Sequence, residues 1–187
     1  MQQFRSNSIT LVIGGVRSGK SRYAQTLAAQ MDRVTFIATA ESRDDDEMRS
    51  KIDRHRADRP ETWPTVEEPL HLSSAITAAT PTSDAILVDC LTLFAANLLE
   101  AHGDNEQALV ASIDALCEAL KTSPCKVILV SNEVGSGVVP AYASGRRFRD
   151  LVGQINQRVA TVADTVLLLV AGLPLAIKGS VPTEDLS

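Results

Sequence analysis

The sequence contains little cysteine and no apolar run long enough to span a membrane. Its 187 residues include three cysteines, Cys90, Cys117 and Cys125, whose spacing fits neither paired residues nor a metal site. An odd number of cysteines is more typical of a reducing compartment than of a disulfide scaffold. The most apolar stretch, residues 165–177, is too short to cross a bilayer, and the N-terminal residues lack an apolar signal core. We therefore expect a cytoplasmic protein.

Positive charge is also scarce. The chain has 18 Lys and Arg against 23 Asp and Glu, giving a net charge of -5 and a pI of about 5.2. The overall composition lacks the excess of positive charge that binding to a phosphate backbone needs, which argues against general DNA or RNA binding. No internal repeat or low-complexity segment occurs. The length predicts a single domain over residues 1–187, with residues 1–8 and 179–187 as loose tails.

One chemical motif is complete. Residues 14–21 read Gly-Gly-Val-Arg-Ser-Gly-Lys-Ser, which is a G-x-x-x-x-G-K-[ST] phosphate-binding loop. A strand-like run (9–13) precedes it and a helix-favouring run (21–31) follows it, as the motif requires. We expect backbone N–H groups and the helix N-terminus to cradle phosphates. Lys20 would reach the β- and γ-phosphates and the Ser21 hydroxyl would bind Mg²⁺. A glycine turn with an incidental lysine is the alternative, but it does not account for both flanks.

The order of apolar runs predicts an α/β fold with a mostly parallel sheet and helices on both faces. Strand-like runs, almost continuously apolar as in strands buried on both faces, alternate with helical patterns. The strands are predicted at 9–13, 34–38, 85–89, 126–131 and 165–171. The helices are predicted at 21–31, 45–56, 91–100, 105–121 and 145–163. Three prolines exclude a regular helix over residues 57–70, where we expect a functional or disordered loop.

Ligands bind beyond the carboxyl ends of strands in such sheets, which directs attention to three positions. Residues 38–40 follow one predicted strand, Asp89 ends another, and residues 131–133 end a third. Four apolar residues before Asp89 make the Walker B arrangement, so its carboxylate is expected to hold Mg²⁺ directly or through water. Asn132 and Glu133 would orient an acceptor hydroxyl or a water, although a polar turn cluster explains them equally well.

His55 lies on one face of the predicted helix 45–56, with Met48 and Ile52. Three roles are open from this spacing: a half-buried packing residue, a cation at the helix end, and a catalytic group. Arginines and lysine crowd the region in an otherwise acidic chain and suit a nucleotide's phosphates. A solvated basic face is the alternative there, as it is for Arg146, Arg147 and Arg149.

Several segments together resemble one family. They are the phosphate loop; residues 37–40; 45–48 followed by 55–60; 89–92 with 97–99; 132–135 with 139–140; and 148–150 with 156–158 and 163–164. In this order they are similar to the bifunctional adenosylcobinamide kinase / adenosylcobinamide-phosphate guanylyltransferase family of cobalamin biosynthesis. The similarity covers about residues 9–178. The chain departs from some members by carrying Arg54 where they have a second histidine, and Asp89 where some relatives have glutamate.

The resemblance implies a RecA-like P-loop NTPase fold and two reactions. ATP or GTP would phosphorylate the aminopropanol hydroxyl of adenosylcobinamide. A histidine, His55 here, would then attack the α-phosphate of GTP, release pyrophosphate, and pass GMP on to give adenosylcobinamide-GDP. Mg²⁺ and a homo-oligomer, in many members a trimer, are implied as well. The implied nucleotide contacts are Gly14, Gly15, Val16, Arg17, Ser18, Gly19, Lys20, Ser21, Ala38, Thr39, Ala40, Arg56, Ala57, Asp58, Arg59, Glu67 and Asp89.

Two other functions are compatible with the motifs alone. One is a different P-loop small-molecule kinase in which His55 is structural. The other is a RecA-like ATPase module without a small-molecule acceptor, against which the low pI counts. If His55 is a nucleophile, it must be a neutral imidazole. Nearby arginines favour the neutral form and a helix C-terminus favours the cation, so the sequence leaves the balance open.

Overall fold

The computed structural model describes residues 8–40 and 60–182. In these ranges the chain forms seven strands, five α-helices and one short 3-10 turn. The strands are β1 (Ile9–Gly14), β2 (Val34–Ala38), β3 (Thr65–Glu67), β4 (Ala85–Asp89), β5 (Lys126–Asn132), β6 (Thr165–Val170) and β7 (Leu173–Lys178). The helices are α1 (Lys20–Ala28), α2 (Leu72–Ala79), α3 (Leu91–His102), α4 (Glu106–Thr122) and α5 (Ala143–Val162), and the 3-10 turn is Thr80–Thr82.

All seven strands form one sheet in the order β3-β2-β4-β5-β1-β6-β7. Strands β1 to β6 run parallel, and β7 returns antiparallel to β6. The register places Gly14 opposite Asn132 and Leu169, and Ala38 opposite Asp89. The carboxyl ends of the central strands therefore share one edge, from which the connecting loops leave.

Two apolar cores lie on opposite faces of the sheet. Adjacent residues of one strand point to opposite faces, so Leu11 joins the first core while Val12 joins the second. The first core is covered by α2, α3, α4 and α5, and the second by α1. Because the strands are apolar on both faces, only a layered arrangement with helices on each side removes their side chains from water.

The predicted α/β architecture is confirmed, and the differences from the sequence pattern are local. Strand β1 extends one residue to Gly14 and β5 to Asn132, whereas β6 ends at Val170 because Ala171 has a positive φ of 52°. Helix α1 ends at Ala28, and α5 begins two residues earlier than predicted. The predicted helix 45–56 lies outside the described residues.

Two strands, one α-helix and the 3-10 turn were not predicted. Strand β3 has only three residues, all exposed, and lies in the proline-rich segment, where it pairs through its backbone with β2. Helix α2 follows directly after that segment, and β7 follows a two-residue turn. The described part of the segment expected to be a loop thus contributes an edge strand, although no helix forms between residues 60 and 70.

The described ends of the chain contact the domain. The Ser8 carbonyl accepts a hydrogen bond from the Val127 N–H at 2.9 Å, and Val181, in the segment expected to be a tail, packs partly buried against the second core. No helix in residues 8–40 and 60–182 is both long and apolar enough to cross a membrane.

Candidate active site

The phosphate loop joins β1 to α1 and is shaped by two glycines. A Cβ atom on Gly14 would lie 2.5 Å from the Leu169 carbonyl oxygen and 2.7 Å from Ser18 Oγ, so no larger residue fits. Gly19 precedes α1 with a φ of 94°, a conformation that L side chains rarely adopt. The motif predicted from the sequence therefore has the backbone form that a phosphate cradle needs.

Lys20 lies over this loop instead of pointing into solvent. Its side chain is buried, and Nζ donates a hydrogen bond of 2.6 Å to the Gly15 carbonyl. Burial lowers the pKa of Lys20, while electrostatic interactions with Cys90 and Asp89 oppose this change. The opposing effect requires Asp89 to be near the ammonium group, as the Walker B assignment expects. Nζ also donates to the Ser18 hydroxyl at 3.5 Å. An ammonium group held on the loop in this way is placed to pair with phosphate oxygens.

The turn between β6 and β7, formed by Ala171 and Gly172, supports the phosphate loop from outside. The Gly172 N–H donates to the Ser18 carbonyl at 2.9 Å. A Cβ on Gly19 would meet the Gly172 Cα at 3.2 Å, so the two backbones touch. Both turn residues have positive φ, at 52° and 83°, as in a type I′ hairpin. The sequence analysis missed this contact; its only signal is Ala-Gly between two apolar runs.

Thr39 directly follows β2, Asp89 ends the neighbouring strand β4, and the two are joined through the Cys90 peptide. The Thr39 hydroxyl donates to the Cys90 carbonyl at 2.6 Å and accepts from the Cys90 N–H at 2.9 Å. The Thr39 N–H also donates to the Asp89 carbonyl at 3.3 Å. Thr39 is fully buried, so its hydroxyl serves the protein backbone. Nucleotide contact by Thr39 stays a prediction.

Asn97, on α3, completes this connection. Its buried side-chain amide donates to the Thr39 carbonyl at 2.8 Å and to the Pro69 carbonyl at 3.2 Å. The sequence placed Asn97 only within a segment that resembles the family and gave it no role. A polar residue among the apolar positions of α3 was the available signal, because a buried amide needs partners.

Cys90 follows Asp89 directly and is partly buried. Burial raises the pKa of Cys90 to about 11, and the neighbouring Asp89 carboxylate contributes to the increase. Since only the thiolate is strongly nucleophilic, we expect this thiol to be a weak nucleophile at neutral pH.

The end of β5 lies beside the phosphate loop. The Glu133 N–H donates to the Gly14 carbonyl at 3.0 Å. The Asn132 N–H donates to Thr92 Oγ1 at 2.8 Å, and the Asn156 side chain donates to the Asn132 carbonyl at 3.1 Å. Residues 131–133 are thus at the sheet edge where the sequence predicted them, with their backbone fixed from α3 and α5.

The described candidates share one edge of the sheet. Ala38 and Ala40 flank Thr39 at the end of β2, and Glu67 pairs with Ala38 at the end of β3. The candidates His55, Arg56, Ala57, Asp58 and Arg59 lie outside the described residues and stay predictions.

Two of the arginines considered at the start of α5 have structural partners. Arg146 donates to the carbonyls of Pro140 and Ala141 at 3.0 and 2.7 Å. Arg147 donates to the Gly103 carbonyl and pairs with Asp104. These contacts favour a structural role over phosphate binding for both side chains.

A magnesium ion at this site would depend on the nucleotide for part of its coordination. In the described ranges no group of three or more His, Cys, Asp and Glu is placed to hold a metal ion. The Ser21 hydroxyl, in the first turn of α1, and the Asp89 carboxylate are oxygen donors of the kind that Mg²⁺ prefers. They fit an ion whose other ligands are phosphate oxygens and water.

Sequence comparison gives a consistent set of relatives. The family model described as "CobU: Cobinamide kinase / cobinamide phosphate guanyltransferase" matches residues 10–177. The bifunctional adenosylcobalamin biosynthesis protein CobU of Escherichia coli (strain K12) is 42% identical over 90% of this chain and 98% of its own length. The protein of the same name from Salmonella typhimurium is 43% identical with the same coverage. CobP of Pseudomonas aeruginosa is 45% identical over 90% of this chain and 96% of its own.

Comparison with solved structures identifies the fold. An ATPase of the type III secretion system of pathogenic bacteria has a TM-score of 0.57 at 14% identity, over 91% of this chain and 57% of the other. A second solved structure, described as an ATPase domain, has a TM-score of 0.51 at 11% identity, over 88% of this chain and 70% of the other. At such identities the similarity shows the fold alone. The expected RecA-like P-loop NTPase fold is thereby confirmed.

Proposed function

Because the chain belongs to the cobinamide kinase / cobinamide phosphate guanyltransferase family, we propose that it performs both of the reactions named there. In the first, the aminopropanol hydroxyl oxygen of adenosylcobinamide attacks the γ-phosphorus of ATP or GTP. The bond from that phosphorus to the β–γ bridging oxygen breaks, the nucleoside diphosphate leaves, and the hydroxyl proton passes to a base or to water.

The position of Lys20 is the observation that carries this proposal. Its buried ammonium group lies on the phosphate loop and is held by the Gly15 carbonyl at 2.6 Å. Asp89 partly opposes the lowering of its pKa by burial. Phosphoryl transfer needs little covalent chemistry from the protein, since positioning and charge stabilisation lower most of the barrier. A fixed cation at the β- and γ-phosphates supplies both.

Further residues along this sheet edge have proposed roles in binding the metal ion, the acceptor and the nucleotide. Ser21 and Asp89 would hold Mg²⁺, in part through water, and the ion would neutralise phosphate charge. Asn132 and Glu133, beside Gly14, would orient the acceptor hydroxyl. The backbone at Ala38 and Ala40 and the carboxylate of Glu67 would contact the nucleotide, in agreement with the resemblance.

For the second reaction we propose His55 as the nucleophile. Its imidazole nitrogen would attack the α-phosphorus of GTP and expel pyrophosphate, which leaves GMP on the histidine. A phosphate oxygen of adenosylcobinamide phosphate would then attack the same phosphorus, form adenosylcobinamide-GDP and free the histidine. Nucleophilic catalysis lowers the barrier because it replaces one difficult transfer with two easier displacements. Arg56 and Arg59 would stabilise the developing negative charge, with Ala57 and Asp58 beside the nucleotide.

The test is the intact mass of the protein after incubation with GTP and Mg²⁺. We expect an acid-labile GMP adduct on the wild type and none on His55→Asn, while that variant keeps most of its kinase turnover with adenosylcobinamide. Kinase activity without an adduct on folded wild type would favour the second candidate, a P-loop small-molecule kinase with a structural histidine. Equal loss of both activities in folded His55→Asn would contradict the division of roles.

Self-association is also part of the proposal. The resemblance implies a homo-oligomer. Sedimentation equilibrium of the purified chain measures this directly, and a strictly monomeric mass at catalytic concentrations would contradict it.

A further inference from the structure

The β5–α5 loop (residues 133–142) has an unusual surface for a position beside a phosphate site. Val138 is 95% exposed, Val139 is 58% exposed and Tyr142 is 80% exposed. Large apolar side chains are rarely left this accessible in a group unless something covers them. The loop therefore raises the question of which molecule these three side chains contact.

The loop starts at the nucleotide site. Its first residue, Glu133, donates its N–H to the carbonyl of Gly14, the first glycine of the phosphate loop, at 3.0 Å. Gly14 also lies opposite Asn132 in the sheet register. Two residues after Gly14, Val16 is 84% exposed. Exposed aliphatic side chains thus occur on both loops that leave the paired ends of β1 and β5.

The loop is held in shape from inside. Glu133 Oε1 accepts the Gly135 N–H at 2.7 Å. A Cβ on Gly145 would lie 2.9 Å from the Cβ of Pro140, so the proline packs against the first turn of α5. Arg146 fixes the carbonyls of Pro140 and Ala141. A surface ordered before its ligand arrives loses less entropy on binding.

These internal contacts also decide which chemistry the loop offers. The Arg146 guanidinium is directed to the loop's own carbonyls and Arg147 is paired with Asp104. What the loop presents outward is therefore aliphatic and aromatic surface instead of cations for phosphate. Two substrates would bind at this edge. The nucleotide is anionic through its phosphates, whereas the corrinoid carries a broad macrocycle with extensive hydrocarbon surface.

We propose that Val138, Val139 and Tyr142 form the acceptor surface, which binds the corrin macrocycle of adenosylcobinamide and of its phosphate. The inference rests on the function proposed above and adds the location of the acceptor. The macrocycle packs against the loop, and the aminopropanol arm extends past Glu133 toward the phosphates on Gly14. The same surface serves both reactions, because the acceptor group differs between them only by one phosphate.

The test replaces the acceptor surface without touching the phosphate loop. In Val138→Ser/Val139→Ser/Tyr142→Ser we expect the KM for adenosylcobinamide to rise by about tenfold or more, as loss of this apolar contact implies. The KM for ATP and the rate of GMP adduct formation from GTP alone stay at wild-type values. Binding of adenosylcobinamide, measured by ultrafiltration and visible absorbance, weakens in parallel, independently of turnover.

The matched control is an exposed apolar pair elsewhere on the surface. Leu175 and Ile177 are 60% and 59% exposed. They lie on the edge strand β7, which β6 separates from β1 and its phosphate loop. We expect Leu175→Ser/Ile177→Ser to leave the KM for adenosylcobinamide unchanged. Sedimentation of both variants separates effects on assembly from effects on the acceptor.

The outcomes separate the two proposals. An unchanged KM and affinity for corrinoid in the loop variant, with active wild type, would overturn the acceptor surface and leave the proposed function intact. A reduced mass of the loop variant with unchanged corrinoid affinity would make the loop an interface between copies, which also overturns it. Wild type that binds no corrinoid and forms neither product would contradict the proposed function and the acceptor surface together.

Discussion

Lys20 combines two opposing requirements in one side chain. Its aliphatic stem and ammonium group are buried on the phosphate loop, and burial lowers its pKa because the charged form loses hydration. In the free protein, the buried charge of Lys20 is therefore unfavourable for folding. A bound triphosphate would stabilise that charge. Activity and stability should respond in opposite directions when this charge is removed.

Lys20→Met tests this opposition. The charge disfavoured in the folded state is gone, so we expect the unfolding temperature of the free protein at neutral pH to stay equal or rise. The stabilisation that ATP with Mg²⁺ gives the wild type should vanish, together with kinase turnover. Differential scanning fluorimetry with and without nucleotide measures both effects.

The stability difference between Lys20→Met and the wild type should change with pH in a defined direction. The folded-state pKa of Lys20 lies below its ordinary value of 10.5, so the unfolded chain binds more protons between these two values. The cost of the buried charge is complete below the folded-state pKa and disappears as the pH rises toward the unfolded value. The advantage of Lys20→Met should therefore shrink on the alkaline side; an advantage that grows with pH would contradict the assignment.

Thr39 offers a second test at the residue scale, with a nearly isosteric pair of variants. Thr39→Val leaves the N–H and the carbonyl of Cys90 without the hydroxyl that bonds both. We expect a loss of about 1–3 kcal/mol in the free energy of unfolding. Because Asp89 precedes this peptide, the Mg²⁺ concentration for half-maximal kinase rate should also rise.

Thr39→Ser is the control, since it keeps the hydroxyl and removes only the methyl group. It should restore the magnesium dependence to nearly that of the wild type. If Thr39→Val lowers stability while the magnesium dependence stays unchanged, the hydroxyl holds the strand ends together without positioning Asp89.

At the scale of elements, the β6–β7 turn acts as a brace for the phosphate loop. Gly172→Ala places a side chain at a φ of 83°, where nothing lies within 4 Å of the new Cβ, so the effect is strain in the backbone and not a clash. We expect a cost of about 1–2 kcal/mol and weaker binding of ATP, because the Gly172 N–H holds the Ser18 carbonyl. Isothermal titration measures the affinity.

Gly103→Ala supplies the matched comparison. Gly103 also has a positive φ, 53°, and open space around its Cβ position, but it ends α3 away from the phosphate loop. Both variants should be destabilised, and only Gly172→Ala should lose ATP affinity. Equal affinities in the two variants would show that the turn does not support the loop.

The elements differ in how much of their position the sequence reveals. The phosphate loop and Asp89 were predictable because their chemistry is local: a fixed motif between two regular elements, and an acid after four apolar residues. Strand β3 could not be predicted, since three exposed residues form a strand only because β2 offers its edge. The contact of Gly172 with Ser18 joins distant parts of the chain and depends on a sheet order that no local pattern encodes.

At the scale of the whole molecule, both proposed reactions would take place at a single sheet edge. The ends of β1, β2, β4 and β5 lie along the same sheet edge as the one phosphate loop in the described part of the chain. Kinase and guanylyl transfer, as proposed, would use that loop for different phosphates of a nucleotide. The two reactions should therefore exclude each other at any one moment.

A non-hydrolysable ATP analogue makes this exclusion measurable. It should slow formation of the GMP adduct from GTP competitively, because both nucleotides need Lys20 and the same loop. Its inhibition constant should match the one measured against ATP in the kinase reaction. Adduct formation that proceeds unchanged under saturating analogue would require a second nucleotide site.

The thiol beside Asp89 has a consequence for handling and for oxidative stress. With a pKa of about 11, only about one Cys90 side chain in ten thousand is a thiolate at neutral pH. Iodoacetamide and hydrogen peroxide react with the thiolate, so the centre of the site should resist both. Alkylation of Cys90, followed by peptide mass spectrometry, should accelerate about tenfold for each pH unit below 11. A cell that loses its reducing balance would then retain this enzyme's nucleotide chemistry while more acidic cysteines elsewhere are modified.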